Sequence, residues 1–253
     1  MSMHSAPVLA EKRGKALVLT LNRAESGNAI DDAMAMALRD ACQQAIEDDE
    51  CAVVLLIATG NAFSLGAAPM SDPLAEIPSR RVADAVAAIP KPVIAAIQGD
   101  AIGQGLELAL ACDLRLAAES GHFALGQVRD GMVPWDGGTQ RLPRSIAKGI
   151  ALEMVLTGKR ITAKEALAMG LVSERLPASA LLPRALELAE KLAGMAPIAA
   201  VYAKEAILKG MDMPLDQAVR FEADLAVLLH STHDRAEGIR SFLDKRKPRF
   251  EGT

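Results

Sequence analysis

The chain has 253 residues, a formal net charge of −4, 51% apolar residues, 24% charged residues and only 3% aromatics. That length suits one large domain or two small ones, and the apolar share excludes global disorder. Mild acidity and scarce aromatics exclude a general nucleic-acid binder, which needs a basic face and stacking rings. With one Trp, one Tyr and five Phe, the core must be built from Ala, Leu, Val, Ile and Met.

In chain order, residues 15–21 (KALVLTL) predict a strand rich in branched aliphatics. Residues 31–47 predict a helix, with Ile30, Met34, Leu38, Ala41 and Ala45 at helical spacing and Asp31 as N-cap. Residues 51–58 (CAVVLLIA) read as a strand buried on both faces and are far too short to span a bilayer. Residues 59–78 hold three prolines with Gly, Asn and Ser, and read as loop. A short helix over 80–88 and a buried strand over 92–97 follow. A glycine-punctuated turn over 99–105 then leads into an apolar helix over 106–112. Thr162 and Glu165 fit a capping box whose helix ends before Gly170. From residue 181 the pattern is helical only, with Pro197 in a first turn, Gly210 at a stop, and last helices over 216–229 and 234–245. The layout is a β/α region with mostly parallel pairing to about residue 180, then a helical tail packed on it or on a neighbouring subunit.

Cys42, Cys51 and Cys112 form no CxxC pair and read as buried reduced thiols, which points to a cytosolic chain without a zinc site. Residues 1–14 contain no apolar run of signal-peptide length.

Residues 91–117, KPVIAAIQGDAIGQGLELALACDLRLA, place a buried strand, a Gly-rich turn and a helix in succession. Gly99, Gly103 and Gly105 allow close backbone approach to a ligand, and the N–H groups opening the helix would face it. This is no dinucleotide fingerprint, because Leu108 stands where the third Gly of GxGxxG belongs; no P-loop occurs either. Glu107 is flanked by Leu106, Leu108 and Ala109. A carboxylate there is costly unless it is paired, hydrogen-bonded or used. It reads either as an acid or base tuned by burial, or as a glutamate on a solvated helix face. The four histidines lack metal-ligand spacing, and no Gly-x-Ser-x-Gly elbow is present.

Further pieces fall in order around that segment: Asn22-Arg23 with Asn28-Ala29-Ile30, Ala62-Phe63-Ser64-Leu65-Gly66-Ala67, Gly137-Gly138-Thr139-Gln140-Arg141-Leu142-Pro143, and LTGKRITAKEALAMGLV over 156–172. Over nearly its whole length the chain resembles the crotonase (enoyl-CoA hydratase/isomerase) family. The resemblance implies an α/β fold, with a crotonase-type spiral of ββα turns over 1–195 and an all-helical C-terminal trimerisation region over 196–253. It implies a cytoplasmic homotrimer or dimer of trimers that takes an acyl-CoA thioester, with no metal and no cofactor beyond the CoA of the substrate. No nucleic acid or membrane partner is implied.

Family members stabilise an enolate-like thioester oxygen with two backbone N–H groups, and the matching donors are Ala67 and Gln104. Many relatives carry Gly where Gln104 stands, so the donor survives while a side chain now projects from the turn. Hydratases of the family usually use two glutamates. Glu107 matches the first, whereas Gln127 occupies the position of the second, and an amide cannot exchange protons at neutral pH. Asp136 is the candidate to fill the gap, since an Asp here in dienoyl-CoA isomerases and some ring-opening hydrolases is similar to a catalytic acid or base. Its plain structural alternative is a cap on the helix opening near Gly137. For CoA the matching positions are Arg23 and the backbone of Ser64, Leu65 and Ala67, with Ala68 (commonly Asp in the family) and Gly103 beside them. Trp135 reads either as a wall of the acyl pocket or as core filling, and the basic run 245–250 either as a CoA phosphate contact or as a solvated tail.

The implied reaction adds or removes water across a double bond of an enoyl- or dienoyl-CoA, or shifts that bond, through a stabilised enolate. Glu107 and Asp136 would share the proton transfers while Gln127 orients substrate or water. The rivals are a C–C bond hydrolase using Asp136 and a non-catalytic acyl-CoA-binding relative.

Overall fold

Residues 6–253 are described by the computed structural model, so residues 1–5, the start of the N-terminal segment read for a signal, lie outside the described residues. An antiparallel hairpin of β1 (Val8–Arg13) and β2 (Ala16–Leu21) opens the fold. Helix α1 (Asp32–Glu47) follows, capped as expected by Asp31, whose carboxylate accepts from the N–H of Met34 at 2.8 Å. Its buried face carries Met34 and Leu38, and each fully buried side chain of this size contributes about 1.5–3 kcal/mol.

From β3 (Val53–Ala58) to β8 (His122–Ala124), each turn of the chain lays one strand in each of two sheets and then adds helix. Strands β3 and β4 (Ala62–Ser64) are followed by α2 (Pro73–Arg80) and α3 (Ala83–Ala87). Strands β5 (Val93–Ile97) and β6 (Asp100–Ile102) are followed by α4 (Gln104–Leu110). Strands β7 (Leu114–Ala118) and β8 (His122–Ala124) lead to α5 (Gly138–Ser145) and α6 (Lys148–Thr157). The chain then passes through β9 (Ile161–Thr162), α7 (Ala163–Ala168), β10 (Glu174–Leu176) and α8 (Ala178–Ala193). One sheet has the order β1-β2-β3-β5-β7-β10 and the other β4-β6-β8-β9, with parallel pairing except at β1·β2 and β8·β9. This is the ββα spiral expected from the sequence.

The six-stranded sheet explains why β3 and β5 read as continuous apolar runs. Val54, Leu56, Val93 and Ala95 face the main core, while Val53, Leu55, Ile94 and Ala96 face Leu181, Ala185 and Ala189 of α8. Helices α9 (Pro197–Gly210), α10 (Leu215–Leu229) and α11 (His233–Leu243) complete the chain. Lys204 moors α9 to the first region through Asp113 at 2.7 Å and the carbonyls of Ile89 and Lys91. The capping box at Thr162 and Glu165 is present. All three cysteines are buried and free, and burial pushes the Cys42 thiol up to about 12.

Several boundaries differ from the sequence reading. The stretch 59–78 is not all loop: it holds β4 and α2, the latter started by Pro73 at N1 and by Asp72 accepting from Leu74 and Ala75. The expected helix over 80–88 is split, with α2 ending at Arg80 and α3 starting at Ala83. The turn over 99–105 contains β6, and α4 opens at Gln104 rather than at residue 106. Strands of three residues are too short to show alternation. The edge strand β1 escapes for another reason, since only Val8 of its six residues is buried.

Candidate active site

The four-stranded sheet sets two backbone segments side by side. Ile30 accepts from Ala68 and donates to Gly66, at 2.9 and 2.8 Å, so the ladder uses the neighbours of Ala67 and leaves its own N–H without a protein acceptor among the described residues. Gln104 opens α4, so its N–H has no helical carbonyl to donate to. The two segments touch: a Cβ on Gly66, whose φ is +104°, would lie 2.9 Å from the carbonyl oxygen of Ile102 and 3.5 Å from the nitrogen of Gln104. Both free donors wall a cavity of about 310 Å³, lined also by Leu65, Met70, Gln127 and Trp135. A fixed pair of N–H groups is suited to an oxygen that gains charge during reaction.

Glu107 sits one turn into α4 and is fully buried. Its Oε1 accepts from the N–H groups of Asp136 (2.9 Å) and Gly138 (2.8 Å), and its Oε2 accepts from Nε2 of Gln127 at 3.0 Å. Burial raises its pKa to about 7, against the opposing pull of the backbone donors of Gly138 and Asp136. One oxygen is thus held rigidly at the opening of α5, while the other faces the amide that lines the cavity. The Oε1 atoms of Gln127 and Gln104 are buried acceptors with no protein donor among the described residues.

The family description Enoyl-CoA hydratase/isomerase matches residues 11–253. The chain belongs to the enoyl-CoA hydratase/isomerase family. Among its relatives is 2,3-dehydroadipyl-CoA hydratase of Escherichia coli (strain K12), 37% identical over 97% of this chain and 98% of that protein. Crotonyl-CoA hydratase of Syntrophomonas wolfei is also 37% identical, over 96% of this chain and 97% of that protein. A crystal structure of enoyl-CoA hydratase from Bacillus anthracis superposes with a TM-score of 0.94 at 36% identity, covering 98% of this chain and all of that one. Membership makes the chain an acyl-CoA enzyme of the hydratase/isomerase class.

Within this family fold, Ala67, Gln104, Gln127, Leu65, Ala68, Gly103 and Trp135 line one cavity, and Glu107 adjoins it through Gln127. Arg23 does not line this cavity, and its guanidinium is paired with Asp31. The Ser64 side chain is fully buried, its hydroxyl donating to the carbonyl of Asn28 at 2.9 Å and accepting from the N–H of Gly66 at 3.2 Å, so it shapes the loop from below. In the basic run 245–250, Arg246 is paired with Glu237.

Asp136, expected to share the proton transfers, is a buried group engaged at the opening of α3. Its carboxylate accepts from the N–H groups of Val82 (2.9 Å) and Ala83 (3.2 Å) and from Nε2 of Gln104 (2.9 Å), and it does not line the cavity. Nor does it cap the helix at Gly137; it caps α3. Burial still raises its pKa, against the lowering effects of the Gln104 and backbone hydrogen bonds. In Asp136→Asn the new amide NH₂ must face one of these donors, leaving a buried group unmet at a cost of about 1–3 kcal/mol. Thermal unfolding should show that loss shrinking as pH rises, because the buried charge of the wild-type Asp136 is itself costly. The rise of turnover with pH should move to lower pH, because that charge no longer raises Glu107. Unaltered stability combined with turnover reduced by orders of magnitude would return Asp136 to a proton-transfer role.

Sequence reasoning missed Arg80 and the partners of the Gln104 side chain. Arg80 opens a segment read only as a short helix, and no local pattern signals that its carbonyl meets Gln104 Nε2 at 2.6 Å.

Proposed function

We propose that the enzyme hydrates the α,β double bond of an enoyl-CoA thioester with Glu107 as its sole proton carrier. The thioester oxygen accepts from the N–H groups of Ala67 and Gln104, which draws electrons from the double bond and makes Cβ electrophilic. Glu107 takes a proton from water as the water oxygen bonds to Cβ. The same proton then passes to Cα as the enolate collapses, so Glu107 returns to its ionised form. Gln127 neither gives nor takes a proton; its buried Oε1 is a suitable acceptor for the water O–H. The observation that carries this reading is one buried carboxyl, poised near pH 7 and hydrogen-bonded to a cavity-wall amide beside two free N–H donors.

A single carrier also suits double-bond isomerisation, in which Glu107 would move one proton between Cα and Cγ of a dienolate. With Asp136 engaged on α3, C–C hydrolysis has no second base. A mere binder, in turn, gains nothing from a desolvated carboxyl.

Loss of enoyl thioester absorbance, followed across pH, tests the proposal. Only ionised Glu107 starts the cycle, in either direction, so kcat/KM should rise through pH of about 7 and then level off. Gln127→Glu should add a second ionisation to that profile. A wild-type profile with two ionisations, or one that is flat through neutrality, would overturn the single-carrier scheme.

We further assign residues 196–253 to self-association as a homotrimer or dimer of trimers. Supporting this, α10 and α11 expose Leu215, Phe242 and Leu243 at 73–82% of their full area. Light scattering of the purified chain measures the assembly. No cofactor is needed beyond the CoA of the substrate, and three unpaired thiols suit a cytoplasmic setting. Among the described residues, no helix is long and apolar enough to cross a membrane.

A further inference from the structure

Arg80 is nearly fully buried, and none of its five N–H groups is idle. Nη1 donates to the carbonyls of Ala68 (2.9 Å) and Pro69 (3.4 Å), directly downstream of the Ala67 donor. Nε and Nη2 each reach Asp32 at 3.3 Å, and Nη2 also pairs with Glu76. The same residue faces the other donor through its backbone, since its carbonyl accepts from Nε2 of Gln104 at 2.6 Å. The second Nε2 hydrogen of Gln104 goes to Asp136, which also holds the N–H groups of Val82 and Ala83. Residues 80–83 therefore grip both walls of the donor pair: the 67–69 loop from one side and the opening of α4 from the other.

We propose that Arg80 is a positioning residue that sets the separation and direction of the Ala67 and Gln104 N–H groups. It touches neither substrate nor reacting atoms. This inference rests on the oxyanion role of those two groups. The planar guanidinium matters because it fixes two carbonyls and two carboxylates in one geometry, which a lysine ammonium on a flexible stem cannot do. The fold alone does not explain the arrangement. A guanidinium serving only to neutralise Asp32 and Glu76 would have no reason to place one edge on the carbonyls that follow Ala67.

The test uses Arg80→Lys and Arg80→Met in the full chain, with a ¹³C-labelled thioester carbonyl in a bound, unreactive saturated acyl-CoA. In the wild type, binding should shift the carbonyl stretch to lower frequency. In Arg80→Lys the shift should shrink and kcat should fall by about 10- to 100-fold, a fraction of the loss on removing a donor outright. The Kd for free CoA, which has no thioester oxygen, should stay within about threefold. A wild-type shift and kcat retained in folded Arg80→Lys would overturn the proposal, as would a kcat loss fully accounted for by the unfolded fraction. If Arg80→Met does not fold, the lysine variant still decides the matter. Absence of any shift in the wild type would instead refute the oxyanion role on which the inference rests.

Discussion

Glu107→Gln should lower hydration turnover by about 10²–10⁴-fold, the usual contribution of a positioned acid–base group. The same change should stabilise the fold increasingly as pH rises. The folded carboxyl titrates near 7, against an ordinary value of 4.5. The native state therefore holds the proton more tightly than the unfolded chain, and stability falls as pH climbs from about 4.5 to about 7, then stays low. At pH of about 8 the charged form costs on the order of 3 kcal/mol. An amide carries no such charge. Its Oε1 can keep the N–H groups of Asp136 and Gly138, and its NH₂ can meet Gln127 once that amide rotates to present its unmet Oε1. The Tm gap between variant and wild type, measured by calorimetry, should widen from about pH 5 to about pH 8. A constant gap would mean that Glu107 is charged throughout; retained turnover would mean that the proton travels by another group.

That trade of stability for chemistry follows from where the two acids lie. Glu107 belongs to α4 yet holds N–H groups at the opening of α5, and Asp136 precedes α5 yet holds those at the opening of α3. The two carboxylates thus lace three helices together around the cavity. Each meets the side-chain amide of a cavity-lining residue, Gln127 for Glu107 and Gln104 for Asp136. Both Asp136 oxygens, however, also hold N–H groups at the opening of α3, whereas among the described residues Oε2 of Glu107 is engaged by Gln127 alone. This separates proton carrier from strut although both are fully buried.

Much of this was legible in the sequence because the signals are local. The run 53–58 is apolar on both faces because both faces are covered, Asp31 and Thr162 cap the helices beside them, and Gly103 to Glu107 lie within one turn. What escaped depends on pairing across long separations. Asp136 reaches Val82 and Ala83 over more than fifty residues, so neither the proton-transfer reading nor the alternative of a cap on the nearer helix pointed to α3. Arg23 sits in a matching motif, yet its guanidinium is paired with Asp31 at the opening of α1. A motif gives the residue and its neighbours; only the packed structure gives the direction of its side chain.

Gly105→Ala isolates the junction on which the donor pair depends. An added methyl in α4 ordinarily favours helix by about 1 kcal/mol. Here a Cβ would stand 2.3 Å from the carbonyl oxygen of Ser64 and 2.8 Å from its Cβ. The carbonyl is backbone in β4 and cannot swing aside as a flexible side chain would, so the start of α4 must retreat from the 64–67 segment. That moves the Gln104 N–H away from Ala67 without touching either residue. Turnover should fall by about 10²–10³-fold, as when an oxyanion donor is lost, while affinity for free CoA changes by no more than about threefold. Gly149→Ala in α6 is the control, since its Cβ would meet nothing within 4 Å, and it should leave turnover unchanged. Steady-state kinetics with CoA-binding calorimetry separates the cases. Wild-type turnover in Gly105→Ala would mean that reaction does not need α4 seated against β4, and the oxyanion site would then have to lie elsewhere.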